Sequence, residues 1–339
     1  MIISRTPFRI SFFGGGTDYP IFYKEHGGAV LSTSINKYCY VTCRYLPPFF
    51  DYKYRIRYTQ REETQTISEI KHPSVRECLS FLKFEQGVEI QHNADLPAMS
   101  GLGSSSSFTV GLLNALYALK GKMPTKRQLA LEAIHVEQDR INENVGSQDQ
   151  TTASFGGFNK IEFGGSQKIT VYPVTLEQDR LRSLENHLML FFTGFVRNAS
   201  DIAEEQINKT AQNTAELKTM LAMVDESLNI LCDNRDRLTD FGKLLHETWK
   251  LKRTLTPQIT TSAIDAIYNT ALKAGATGGK LLGAGGGGFM LFFVRPEFQQ
   301  KVREELSNLL YVPFKFQDLG SQIIYYAPEE DFWKTERTT

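Results

Sequence analysis

No stretch of the chain approaches the ~20 consecutive apolar residues that cross a bilayer. The opening Met1-Ile2-Ile3-Ser4-Arg5 also lacks the basic-then-apolar layout of a secretory leader. The expectation is a soluble cytoplasmic protein with no membrane partner. An excess of charge is missing too, since 38 Lys plus Arg balance 38 Asp plus Glu. A nucleic-acid partner is therefore not expected, because it would demand a basic surface; a small basic pocket for a phosphorylated metabolite stays compatible with neutrality. Cysteine is scarce and scattered, at Cys39, Cys43, Cys78 and Cys232. Cys39 and Cys43 fall in a strand-like segment with no second pair to complete a zinc site. Buried free thiols in a reducing compartment fit better than a disulfide framework. No internal repeat and no low-complexity tract breaks the chain.

What is present is enough chain for two domains, 339 residues against a prior of ~150 per domain. The stretch that organises it is Pro97-Ala98-Met99-Ser100-Gly101-Leu102-Gly103-Ser104-Ser105-Ser106-Ser107, which runs straight into a helical pattern of Phe108, Leu112, Leu113, Leu116, Tyr117 and Leu119, with Gly121 as its stop. Small residues let the backbone curl around a ligand. The first helical turn leaves N–H groups without intrahelical partners and carries about half a positive charge, which together suit an anion such as a phosphate. Serine hydroxyls can bond phosphate oxygens or ligate a hard cation. No Gly-Lys-Ser/Thr follows, so the loop is not of the Walker type. Its other reading is a plain Ser-rich helix cap after a turn.

Strands are expected at Ile2–Phe13, Ala29–Tyr45, Tyr54–Thr59, Val88–His92, Phe158–Phe163, Lys168–Val174, Leu188–Phe192, Phe289–Val294 and Ser321–Tyr326. Thr125 with Gln128 reads as a capping box opening a helix. On that helix Ala130, Ala133, Ile134, Glu137 and Ile141 share one face, which sets Glu137 among apolar residues, where a lone charge is expensive unless paired or bound to a metal. Residues 144–150 read as a polar loop and 175–185 as the connection between domains. Helical patterns then cover 201–252, 259–273 and 297–310. Strands mixed with helices, without regular alternation, favour an α+β fold.

Lys280-Leu281-Leu282-Gly283-Ala284-Gly285-Gly286-Gly287-Gly288 contains a formal G-x-G-x-x-G. A dinucleotide fingerprint would need a helix after it, and here the apolar run Phe289–Val294 follows. The glycines are better read as letting this backbone pass close to another loop or a ligand. With Arg9 in the first strand, Gly14-Gly15-Gly16-Thr17-Asp18 after it and Asp149 in a polar loop, the chain holds what phosphoryl transfer requires. Those needs are a loop for donor phosphates, an acid for Mg²⁺, an acid for the acceptor hydroxyl and a cation for developing charge.

On these residues the sequence resembles the GHMP kinases. Pro97-x-x-Ser100-Gly101-Leu102-Gly103-Ser104-Ser105 resembles their phosphate loop, Pro7-x-Arg9-Ile10 their first motif and Lys280–Gly288 their third. The resemblance implies a two-domain α+β fold. A ribosomal-protein-S5-like α/β domain would span residues 1–180 and a ferredoxin-like domain residues 181–339, with the site between them. It implies ATP as cofactor at Pro97, Ser100, Gly101, Leu102, Gly103, Ser104, Ser105 and Ser106. Mg²⁺ would be held by Ser104 or Ser105 with Glu137, Asp149 would be the catalytic carboxylate, and Arg9 would lie near the transferred phosphoryl group. The acceptor would meet Gly15, Gly16, Thr17, Asp18, Gly285 and Gly286. Galactokinases carry Gly-Glu-His-Thr-Asp where this chain has Gly14-Gly15-Gly16-Thr17-Asp18. Phe13–Asp18 and Thr193–Ser200 instead resemble the D-glycero-D-manno-heptose 7-phosphate kinases, with fucokinase-like domains as near relatives. The activity so implied is phosphorylation of an anomeric hydroxyl to give a heptose 1,7-bisphosphate, on the way to a nucleotide-activated heptose. Arg197, just before a helix, would then help bind the 7-phosphate. A kinase of an unphosphorylated fucose- or galactose-type sugar and a non-catalytic sensor on the same fold remain the alternatives. Oligomeric state is left open.

Overall fold

The first strand, β1 (Ile2–Phe13), is buried along its whole second half, polar positions included. Such burial needs cover on both faces, and four helices supply it. α3 (Ser104–Leu119) and α5 (Gln148–Phe155) pack on the strand together with α8 (Thr214–Cys232) and α9 (Leu238–Thr254). The computed structural model describes residues 1–165, 169–195, 199–233 and 237–328.

Around β1 the chain builds two sheets. Besides β1 the first contains β2 (Gly28–Tyr45), β3 (Tyr54–Arg57), β4 (Arg61–Thr64), β5 (Val88–Ala94), β6 (Phe158–Phe163), β7 (Ile169–Pro173) and β12 (Gln322–Tyr326). Its order is β12-β1-β2-β5-β3-β4, with β6 on the far stretch of β2 and β7 beyond β6. The long β2 serves two neighbours, β5 through Cys39–Tyr45 and β6 through Gly28–Thr33. The second sheet runs β11-β8-β10-β9, all antiparallel, from β8 (Leu188–Phe192), β9 (Ala276–Leu281), β10 (Phe289–Val294) and β11 (Leu310–Tyr311). Packed with it are α9, α10 (Ser262–Ala274) and α11 (Pro296–Glu305). The remaining helices are α1 (Pro20–His26), α2 (Pro73–Phe81), α4 (Lys126–His135), α6 (Gln178–Asn186) and α7 (Ala199–Asn208). No helix among the described residues is long and apolar enough to cross a membrane. Cys39, Cys43 and Cys78 are buried thiols and Cys232 is exposed.

Several expectations are revised. The polar loop expected at 144–150 ends at Ser147, and Gln148 opens α5, so Asp149 stands in a first helical turn. The expected connection at 175–185 contains most of α6, which buries Leu184. α1 and α2 were not expected; both carry Pro in the first turn, a start signal easily passed over. Lys280 lies inside β9 rather than in the glycine loop, which makes the loop the turn of a β9–β10 hairpin. The Thr125 hydroxyl accepts from the Gln128 amide at 3.1 Å, but the Gln128 side chain turns to Glu132, so only half of the capping box forms. Of the features named in the sequence, Lys168 and residues 196–198 of the Thr193–Ser200 stretch, Arg197 among them, lie outside the described residues. The last strand, β12, crosses back from the second half of the chain into the first sheet.

Candidate active site

α3 starts where Gly103 stands in the left-handed region at φ +75, a geometry glycine takes without strain. The turn it makes brings the seryl start of α3 against β1. The Arg9 amide donates to the Leu102 carbonyl at 3.0 Å, and the Arg9 side chain spends every arm locally. Its Nε and Nη2 donate to the two Asp149 carboxylate oxygens at 2.7 and 2.8 Å, and Nη1 donates to the Gly101 carbonyl at 2.7 Å. Two parallel charge-assisted bonds fix the plane of the carboxylate as well as its position.

Asp18 is buried and faces the same space. It accepts from the amides of Gly16 at 3.0 Å and Gln148 at 3.3 Å. Burial, and then the charge of Asp149, raise its pKa above the ordinary carboxylate value, while those amides oppose the rise. Glu137 lies deeper. It sits in a π-helical turn, Val136–Arg140, that widens the end of α4 and turns its side chain inward. One oxygen accepts from Ser106 Oγ at 2.8 Å and from the Gln150 side-chain amide; the other, Oε1, is buried without a partner. Burial, reinforced by the charge of Glu143, pushes the Glu137 pKa up to about 7.

From the second sheet the glycine turn closes against the phosphate-type loop backbone to backbone. A Cβ on Gly101 would lie 2.5 Å from the Leu282 carbonyl oxygen, and one on Gly283 would lie 2.5 Å from the Gly101 Cα. Only glycines permit that approach. Between the two loops opens a cavity of about 320 Å³, whose walls include Arg9, Asp18, Asp149, Gly101, Gly103 and Ser104–Ser106. Gly15, Gly16, Gly283 and Ala284 also line it, as do Glu143, Gln148, Lys252 and Lys280.

The structure thus brings together Arg9, Asp149, Asp18, Gly15, Gly16 and the start of α3, with Glu137 behind Ser106. Other expected site residues fall elsewhere. Pro97 is exposed and off the cavity wall. Leu102 is a core residue, and Ser100 is buried behind the loop. The Thr17 hydroxyl bonds the main chain of Gly14 and Ala29, so it shapes the turn. Gly285 packs on Ile259 and the Gly286 amide donates to the Ile259 carbonyl, which leaves Gly283 and Ala284 as the turn's cavity-facing residues. Sequence reasoning missed Glu143, Gln148, Gln150 and Lys252. It named Lys280 only as part of a motif, although a lone charge in the otherwise uncharged run Gly278-Gly279-Lys280-Leu281-Leu282 was a usable signal.

Comparison with known proteins agrees with this geometry. Residues 71–157 match the GHMP kinases N terminal domain and residues 231–312 the GHMP kinases C terminal domain. The chain is 29% identical over 309 residues to the D-glycero-alpha-D-manno-heptose 7-phosphate kinase of Campylobacter jejuni, covering 87% of this chain and 90% of that one. It is 24% identical over 378 residues to the L-fucokinase/L-fucose-1-P guanylyltransferase of Bacteroides fragilis, covering 95% of this chain but 38% of that longer protein. A crystal structure of a D-glycero-D-manno-heptose 1-phosphate kinase from Bacteroides thetaiotaomicron superposes with a TM-score of 0.71 at 25% identity, covering 96% of this chain and 100% of that one. With both domains matched in order and the three motifs meeting at one cavity, the chain belongs to the GHMP kinases, ATP-dependent phosphotransferases.

Proposed function

We propose that this kinase phosphorylates the anomeric hydroxyl of D-glycero-D-manno-heptose 7-phosphate, giving the 1,7-bisphosphate. The observation that carries the reading is the placement of the Arg9–Asp149 pair beside buried Asp18 and the seryl start of α3, on the wall of one cavity. A cytoplasmic site of action fits the three buried free thiols.

The free amides at the start of α3 and the hydroxyls of Ser104 and Ser105 suit the donor phosphates. A Mg²⁺ ion fits the oxygen donors next to them, because Glu137 keeps one buried oxygen without a partner and Ser106 supplies a hydroxyl against the other. When bound, Mg·ATP supplies the phosphoryl group and neutralises part of its charge. Asp149, its plane fixed by Arg9, accepts the hydrogen bond of the attacking hydroxyl and takes its proton as transfer proceeds. Arg9, anchored to Gly101 as well, offsets charge on the group in transit. Asp18 accepts hydrogen bonds from further acceptor hydroxyls and so orients the sugar ring.

The named relatives favour a heptose, and the match to a fucokinase domain keeps an unphosphorylated 6-deoxysugar as the second reading. A coupled ADP-release assay with Mg·ATP and a panel of heptose 7-phosphate, heptose 1-phosphate, fucose, galactose and mevalonate decides. Heptose 7-phosphate is expected to give the highest kcat/KM. Faster turnover of fucose or galactose would overturn the heptose assignment.

A further inference from the structure

Two buried lysines have no part in the chemistry just described. Lys252 from α9 and Lys280 from β9 are 6% and 3% exposed, and both reach the cavity wall. Among the described residues neither takes part in an ion pair. The Lys252 ammonium donates to the carbonyls of Leu281, at 3.1 Å, and Gly283. The Lys280 ammonium donates to the Phe12 carbonyl at 2.8 Å. The third cation of the cluster, Arg9, is already matched by Asp149, and the charge of buried Asp18 reaches both lysines.

Two unpaired ammonium groups close enough to repel each other are an expensive thing to bury. Packing alone would be served as well by methionine. Sites where a sequence breaks the rules of burial are typically sites where a ligand completes the charge balance. Burial, and the neighbouring cations after it, push both amines below the ordinary lysine range, Lys252 to about 7. Each ammonium has three donors, and main-chain carbonyls take two at Lys252 and one at Lys280. Donors therefore remain for an anion in the cavity.

We propose that Lys252 and Lys280, from α9 and β9, form an anion seat for phosphoryl oxygens on the wall of the cavity that the start of α3 also lines. The proposal rests on the phosphoryl-transfer reading of the cavity but not on which sugar is used. Two groups share the required chemistry: the phosphoryl group in transit and a phosphate already carried by the acceptor.

Binding can be read without turnover. Inorganic phosphate is titrated calorimetrically onto enzyme saturated with Mg·ADP, so that the donor loop is already filled. Wild type is expected to bind phosphate. Lys252→Met and Lys280→Met are each expected to weaken it by about tenfold or more, the loss of a charged hydrogen bond. Melting temperatures should hold or rise, since each change removes an amine whose charged form burial disfavours. Lys243→Met, at an exposed lysine paired with Asp240, serves as control and should bind as wild type does. If a methionine variant fails to fold, the glutamine variant at the same position is read in its place. Steady-state kinetics then separate the sources. A fall in kcat with acceptor KM unchanged assigns the seat to the group in transit; a rise in KM confined to phosphorylated acceptors assigns it to the acceptor's phosphate. Phosphate binding unchanged in both variants, or absent from wild type, overturns the seat. Failure of the heptose reading alone would leave the phosphate titration unaffected.

Discussion

Arg9 on β1 and Asp149 in the first turn of α5 meet through two bonds, Nε to Oδ1 at 2.7 Å and Nη2 to Oδ2 at 2.8 Å. Both elements are held independently of the pair: the Arg9 amide by Leu102, and the start of α5 by the Ser147 amide on the Asp18 carbonyl at 3.0 Å. The carboxylate therefore waits in a defined plane, and little ordering remains to be done when substrates arrive.

Replacing Asp149 by asparagine keeps the shape and removes the charge. An amide accepts with one oxygen only, so one bond from Arg9 is lost along with the proton acceptor. The expected result is a fall in kcat of ~10²–10⁴, the usual range for a positioned general base. Calorimetric affinity for Mg·ADP should stay at the wild-type value, since the role proposed for Asp149 lies on the acceptor side. Wild-type turnover in this variant would remove Asp149 from the mechanism.

Gly146 offers a test of Asp18 that leaves its chemistry in place. A Cβ at position 146 would sit 1.9 Å from Asp18 Oδ2, so Gly146→Ala must push the carboxylate off its bonds with Gly16 and Gln148. Acceptor KM is expected to rise by about tenfold, the scale of one lost charged hydrogen bond, with ATP KM unchanged. A selective rise in ATP KM would place Asp18 on the donor side.

The metal role proposed for Glu137 can be read through stability. In metal-free protein its pKa stands at about 7 against an ordinary value of 4.5. A carboxyl whose folded pKa is raised holds its proton more tightly when folded, so it costs nothing below pH ~4.5 and destabilises increasingly up to pH ~7, by about 3 kcal/mol in all. Glu137→Gln escapes that cost. Without metal its melting temperature should exceed wild type at pH 8, and the gap should close towards pH 4.5. Adding Mg²⁺ should raise the wild-type melting temperature and leave the variant unmoved. A pH-independent gap over this range would mean that Glu137 is already charged in the folded protein at pH 4.5.

How much of this was legible beforehand depends on the kind of signal. Ile2–Phe13, Phe158–Phe163 and Phe289–Val294 announced themselves as strands because their β-rich apolar runs end at glycines or turns. The start of α3 was legible because a Gly/Ser stretch running into an apolar helical pattern is a local signal, although Gly103 and not a serine side chain stands at its cap. Glu137 was found by helical periodicity, though the π turn that aims it inward has no sequence signature. Lys252 was hidden by its helix. On α9 a lysine among Glu247, Lys250 and Arg253 reads as one more solvent-facing charge, and only the approach of the glycine turn buries it. The roles of Gly283 and Ala284 over Gly285 and Gly286 were likewise unreadable, because which glycine of a run faces a cavity depends on the turn as a whole. The partner of the final strand was equally silent, since pairing between residues more than 300 apart leaves no local trace.

That final pairing supports one more prediction. β12 lies antiparallel on β1, Ile2 opposite Tyr326 and Arg5 opposite Gln322, and just before it the Ser321 hydroxyl meets Thr6 Oγ1 at 2.8 Å and accepts from Asn114 at 3.0 Å. Deleting residues 322–339 would strip this edge and expose the main chain of Ile2–Arg5. At about 0.5–1.5 kcal/mol per lost hydrogen bond, a ladder of this length is worth a few kcal/mol, which should lower the melting temperature by several degrees. Arg9 lies beyond the stripped segment, where Ser34 on β2 stands opposite it and the Leu102 carbonyl holds its amide. Its pairing with Asp149 should therefore survive. Calorimetry is expected to show the lower melting temperature, while kcat measured well below it stays close to wild type. A loss of kcat in fully folded truncated protein would mean that β12 holds β1 in the position from which Arg9 reaches Asp149.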